Sequence, residues 1–456
     1  MEAVNQSPQP KSTEPLPTAK PSATGFINRT AQTFFSKVEE RRSAAGQNFF
    51  YFTPTLLPLF GILYGGAPED VKQDLKKFLH DDDGSCDVHE AFGNWLKVPQ
   101  EVEAVEQKHA RAFFSTSILW VIGKIRSLGM WLFPKYFPPP APVIPTSWKT
   151  ETDTGILIAH RETATIPEKT RAALSHYCED PVTFATNGEA TEKSNAWISE
   201  RTQGAIQDLV PDIEDPIQLL LLAATSFKGN WVYPFDESKT SPEKFTNSDG
   251  SMSSKVDTMQ LKMNDLRMTH DQINGKSVRI LELPMHGNLA MYVVIDSNRG
   301  ADVKEYLASE DFLDVLNRVD GEESSFKKTI GLLVKLPKFE LKDRVDILSE
   351  LSGDPLIERI QSAYWNGFLV ETSDSRPSKI TQMVSQTNLS LDETGVKIKA
   401  ASYTCCAGHS CPPTFYANKP FGLVLFDKKT KTILGMGQIN KLSDSKSPLF
   451  RFFLSS

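Results

Sequence analysis

The chain has 456 residues, 23% of them charged, and a formal net charge of −7. This length lies beyond the roughly 250–300 residues at which single cores usually divide, so several domains or one large α+β core with tails is expected. An acidic balance without a long basic run gives nucleic acid and anionic membranes no electrostatic footing, and ordinary Gly and Pro usage excludes a fibrous chain.

Residues 1–24 are rich in Pro, Ser, Thr and Lys and read as a disordered tail. They lack the apolar run of a secretory signal, which points to a cytoplasmic or nucleocytoplasmic chain. An extracellular location stays open if the N-terminus is misassigned or export is unconventional. The five cysteines (Cys86, Cys178, Cys405, Cys406, Cys411) are too few and too uneven for a disulfide framework. Asn28-Arg29-Thr30 and Asn388-Leu389-Ser390 match the glycan acceptor pattern, which carries weight only in a secreted chain.

Apolar residues from Phe26 to Val38 recur at helical spacing and predict a helix. A short β-rich run, Asn48 to Phe52, stops at Thr53-Pro54. An apolar helix over 56–67 and an amphipathic one over 69–79 follow. The apolar helix is too short for the roughly 20 residues a bilayer needs. Residues 101–153 fit this order poorly, with an apolar run, an aromatic run and Pro138-Pro139-Pro140. They read either as a membrane- or partner-binding insertion or as an insertion without bearing on function.

Regular patterns then return. Strands are expected at 156–159 and 181–184, and helices at 167–177 and 189–200. Leu219 to Ala224 is a continuous apolar run, the signature of a strand buried on both faces. Residues 280–284 and 291–295 read as paired strands, and 332–338 as another. Residues 421–426 and 433–439, split by a charged turn, predict a hairpin. The tail from Lys441 is short and ends in aromatics.

The stretch from Leu389 to Phe421 carries the most chemistry. Leu389, Leu391, Val396, Ile398 and Ala400 alternate with polar neighbours, as in a strand, and Thr404 to Pro413 has loop composition. Cys405, Cys406, His409 and Cys411 could ligate zinc or form a redox-sensitive loop disulfide, or could simply be small loop residues. The other histidines (His80, His89, His109, His160, His176, His270, His286) stand outside any catalytic or metal motif, and no cofactor is expected.

Several phrases resemble the serpin family. They are Asp392-Glu393-Thr394-Gly395 with Ala400-Ala401, then Ala417-Asn418-Lys419-Pro420-Phe421; Ser194 to Ile206; Phe227-Lys228-Gly229-Asn230-Trp231 with Pro234-Phe235-Asp236; Leu281-Glu282-Leu283-Pro284; and Leu332 to Phe339. The resemblance covers about 25–440 discontinuously. It implies one α+β serpin-like domain, with a large, mainly antiparallel central sheet, smaller sheets, about eight or nine helices and an exposed reactive-centre loop. It also implies a short tail over 441–456.

The same resemblance implies a protease inhibitor rather than an enzyme. A target protease, serine or alternatively cysteine, would cut His409–Ser410 and be trapped as the preceding segment enters the sheet. No nucleic-acid partner is implied, and a monomer is expected. Glu393, Gly395, Val396, Ile398, Ala400, Ala401 and Ser402 would form the hinge and inserting face. Lys338 would pair with Glu393, and Trp231 would sit near the top of the sheet. Two departures stand out. Val396 and Ile398 replace smaller residues at the hinge. Leu56, Ala223 and Ser385 occupy positions where inhibitory relatives carry a hydrogen-bonded polar trio. The alternative is a non-inhibitory serpin-fold binding or storage protein, cleaved without trapping.

Overall fold

The computed structural model describes residues 23–81, 87–96, 151–178, 180–202, 204, 206–211, 218–297, 303–322, 324–371, 379–380, 382–395 and 413–444. The N-terminal tail to residue 22, most of the 101–153 insertion and the loop cysteines therefore lie outside the described residues. So do Val396, Ile398, Ala400, Ala401, Ser402, His409 and Ser410, the residues expected at the hinge and the cleavage point.

Helix α1 (Ala23–Ala44) places Phe26, Ile27, Ala31, Phe34, Phe35 and Val38 in the core. Strand β1 (Phe49–Phe52) is buried at all four residues. Helix α2 (Thr53–Gly66) begins three residues before the expected Leu56, because Pro54 falls in its first turn, where no amide is needed. Helix α3 is Glu69–Phe78, and residues 88–96 form α4. Strand β2 (Glu151–Arg161) starts earlier than expected; its first residues pair with the end of β5, so 151–153 belong to a sheet and not to the insertion.

Strand β3 (Ala164–Thr165), α5 (Glu168–Leu174), β4 (Val182–Phe184) and α6 (Asn187–Arg201) follow. Helix α6 is capped by the Thr186 side chain, which accepts from the Glu189 amide, while the Glu189 carboxylate accepts from the Ala185 amide. Strand β5 is Leu219–Lys228. Strands β6 (Ser241–Thr246), β7 (Met252–Met263) and β8 (Arg267–Ile273) carry mixed polar sequences and no clean alternation of burial. Then come β9 (Lys276–Pro284), β10 (Leu289–Asp296), α7 (Val303–Leu307), α8 (Glu310–Asn317), β11 (Lys327–Lys328), β12 (Leu332–Pro337) and β13 (Phe339–Asp346). Helices α9 (Ile347–Glu350) and α10 (Pro355–Ser362), β14 (Val370–Glu371), β15 (Met383–Leu391), β16 (Thr414–Tyr416), β17 (Phe421–Asp427) and β18 (Thr432–Ile439) complete the order.

Three large sheets and a two-stranded antiparallel pair, β14 with β3, organise the described residues. A seven-stranded sheet runs β1-β18-β17-β10-β9-β8-β11, antiparallel throughout. A four-stranded sheet runs β16-β12-β7-β6, and a five-stranded sheet β13-β15-β5-β2-β4. In the five-stranded sheet, β13–β15 and β5–β2 are antiparallel, whereas β15–β5 and β2–β4 are parallel. Both faces of that sheet are covered. Leu219, Leu221, Ala223 and Met383 join the main core, and Leu220, Leu222, Ala224 and Val384 face α6. This double burial is why 219–224 carries no polar alternation.

Both glycan-pattern asparagines are structurally engaged. Asn28 is buried, donates to the Lys431 carbonyl (2.9 Å) and accepts from the Ile433 amide (2.8 Å). Asn388 lies within β15, paired on both sides. Asn28 is thus withheld from solvent, whereas Asn388 is half-buried within a paired strand.

Candidate functional site

Strand β15 of the five-stranded sheet ends at Leu391, and the next strand, β16, begins at Thr414 on the edge of the four-stranded sheet. The segment between therefore starts at one sheet and ends at another. Its first residues, Asp392 to Gly395, are locked to the stretch that follows β5. The Trp231 indole donates to the Asp392 carbonyl (3.0 Å), the Trp231 amide to Thr394 (3.2 Å) and the Phe235 amide to Glu393 (2.7 Å). Trp231 is buried, with the Phe235 ring edge-on at 6.3 Å. Asp392 caps the turn by accepting from the Thr394 amide and hydroxyl.

Glu393 is 4% exposed, and its carboxylate is shared between two donors. Lys338 Nζ lies 2.8 Å from Oε2, and the Thr240 hydroxyl 2.7 Å from Oε1. Burial pushes this carboxyl up, but the Lys338 and Thr240 hydrogen bonds outweigh it and hold it below the usual range. Burial likewise pulls Lys338 down, and the Glu393 carboxylate outweighs that and holds it above the usual amine range. Gly395 has φ +81°; a Cβ there would fall on the Gly229 carbonyl oxygen and within 2.8 Å of the Asn230 Cα and Trp231 amide nitrogen. Only glycine fits this close approach of two backbones.

Trp231, Lys338, Glu393 and Gly395 thus meet at one end of the β5–β15 seam. Thr240 and Gly229 complete the site, and sequence reading did not single them out for it. Thr240 lies 153 positions from Glu393 and belongs to no motif. Further down the seam, Ala223 and Ser385 are register partners across the parallel pair. Leu56 is fully buried on α2, which packs against both strands. The seam is lined here by alkyl groups and one hydroxyl. Among the described residues no group of three or more His, Cys, Asp or Glu side chains could hold a metal, and no helix is long and apolar enough to cross a membrane.

The family model described as Serpin (serine protease inhibitor) matches residues 152–442. The protein Z-dependent protease inhibitor of Mus musculus is 30% identical over 261 residues, which are 57% of this chain and 55% of that protein. Iripin-8 of Ixodes ricinus is 30% identical over 291 residues, 61% of this chain and 69% of that protein. The chain thus spans between about half and two thirds of the length of such relatives. Human glycosylated kallistatin has a similar fold, with a TM-score of 0.69 at 17% identity, covering 92% of this chain and 97% of that one. Native protease nexin-1, solved with heparin, gives 0.64 at 17% identity, covering 91% and 99%. At that identity the likeness concerns the fold, and it extends over nearly the whole chain, N-terminal part included.

Proposed function

The chain belongs to the serpin family, and from that premise we propose that it inhibits a peptidase as a suicide substrate. Its bait is the stretch from Asp392 to Pro420, with the reactive bond at His409–Ser410. The target's nucleophile, a serine hydroxyl or alternatively a cysteine thiolate, attacks the His409 carbonyl carbon. The bond to the Ser410 nitrogen breaks, and the new amine leaves with a proton. The acyl-linked segment then enters the five-stranded sheet before water can cleave the acyl bond.

One observation carries this reading: the parallel pairing of β15 with β5 in the middle of an otherwise filled sheet. A segment that turns back from the end of β15 runs antiparallel to β15, and so also to β5. Its entry would replace one parallel interface with two antiparallel ones and bury a face along Val396, Ile398, Ala400 and Ser402. From Glu393 to His409 the chain can extend roughly 50–55 Å, enough to carry a protease across a molecule of this size. The names of the relatives, protease inhibitors among them, support the same reading.

Incubation with a panel of serine and cysteine proteases tests it. A complex that survives denaturing electrophoresis is expected with at least one of them. Clean cleavage between His409 and Ser410 by every protease that attacks the loop, with no complex, would overturn it.

A second reading is favoured by the alkyl lining at Leu56 and Ala223 and by the branched residues Val396 and Ile398. Both make strand entry slower, so the loop would be cut and the protease released. In that case the chain is a non-inhibitory binding or storage protein. Its melting temperature would then barely change on cleavage.

A further inference from the structure

The connector after α6 lies over the seam that would have to open. Ile206, Leu209 and Val210 are buried in one cluster with Leu220, Leu222 and Ala224 of β5 and Val384 of β15. On the helix side the connector is firmly held. Asn195 donates to the Val210 carbonyl (2.8 Å) and accepts from its amide (2.9 Å). The buried Thr202 hydroxyl accepts from the Ile206 amide (3.0 Å), and Thr191 donates to the Pro211 carbonyl (3.2 Å).

On the other side the connector is tied to a strand beyond the seam. Arg344 Nε, on β13, donates to the Leu209 carbonyl at 3.0 Å. Arg344 is the register partner of Gln386 on β15, which in turn pairs with Ala224 on β5. The three residues form one lateral row on the face that α6 covers. The Arg344 side chain therefore reaches over β15 to a carbonyl that packs on β5.

We infer that Arg344 is a positioning residue that latches the connector across the β5–β15 seam and so slows the entry of a strand. The inference rests on the function proposed above. A strand placed in the seam moves β15 and β13 away from β5 by about 4.8 Å, one interstrand spacing. The connector stays with α6 and β5 through Asn195 and Thr202. A 3.0 Å bond cannot span that displacement, so it must break before or during entry. Arg344 is exposed, so its loss leaves the core packing intact.

The test uses the intact chain and a labelled, acetylated peptide of its own residues 395–408, with the rate of uptake read by native electrophoresis and fluorescence anisotropy. Arg344→Ala should take up peptide about three- to tenfold faster than the unchanged chain, the rate equivalent of one net hydrogen bond. Arg344→Lys keeps a donor and should restore most of the slow rate. Asn195→Ala frees the connector from the helix side and should also speed uptake. Equal rates for the unchanged chain and Arg344→Ala overturn the latch but leave the proposed function standing. Absence of uptake in every variant overturns both, because then the seam admits no strand.

Discussion

Glu393 ties the end of β15 to Lys338 and Thr240. Its carboxylate is buried and its partner amine is partly exposed, with side-chain exposures of 5% and 45%. Lys338→Ala would leave a buried carboxylate with Thr240 as its remaining side-chain donor and should cost about 1–3 kcal/mol, read as a lower denaturation midpoint. The pH dependence follows from the lowered pKa. A depressed carboxyl stabilises the fold in full above the ordinary carboxylate range, and that contribution drains away as pH falls through its folded pKa. Stability should therefore decline below about pH 4.5 more steeply in the unchanged chain than in Glu393→Gln, whose side chain does not titrate there. Matched declines in paired urea titrations across that range would remove Glu393 from the account. Gly395 offers a test of backbone rather than charge. Gly395→Ala must adopt φ +81° against the backbone of 229–231 and should cost about 2 kcal/mol or more. The measurement is thermal unfolding, with Gly250→Ala as the control, since Gly250 has the same positive φ but open space where its Cβ would go.

Among the elements, the proposed insertion would set opposing demands on the segment and the seam. Val396 and Ile398 add β propensity and apolar surface, which would favour an inserted state once formed. The same branched side chains would have to pass between two strands that are already packed, which would raise the barrier. Val396→Thr with Ile398→Ala should shift the products of protease attack from cleaved chain toward covalent complex, measured as the ratio of the two bands on a denaturing gel. An unchanged ratio would place the rate limit elsewhere, in the seam or under the connector. Helices α1, α2, α3, α5 and α6 and several core strands were legible along the chain because each has its own period. The α1 face, the apolar run of β5 and the β17–β18 hairpin all announce themselves. Strands β6, β7 and β8 did not, because they lie on sheets with partly exposed faces, and polar residues such as Ser253, Lys255 and Asp257 interrupt the pattern. Helices α4, α7, α8, α9 and α10 also escaped the sequence pattern. The last two are short, and their order comes from packing against β13, β15 and α3 rather than from propensity.

For the whole molecule, the parallel β15–β5 pair marks a sheet that could be extended at its centre. Cleavage within the loop by a protease that is later removed should raise the melting temperature strongly if the segment enters, since two antiparallel ladders and a buried face are added. Calorimetry before and after cleavage gives the answer, and a small change would favour the non-inhibitory reading. The amino-acid sequence by itself pointed to the family, through several phrases in one order along the chain, and it determined many core elements through hydrophobic period. It also marked Glu393, Gly395, Lys338 and Trp231, because their neighbours in the chain form those phrases. Tertiary structure alone decided that Thr240 shares the Glu393 carboxylate, that Gly395 rests on the backbone of 229–231, and that Arg344 holds the connector over the seam. Those contacts join residues more than 130 positions apart, and no local period or spacing records which distant atoms a folded sheet brings within 3 Å.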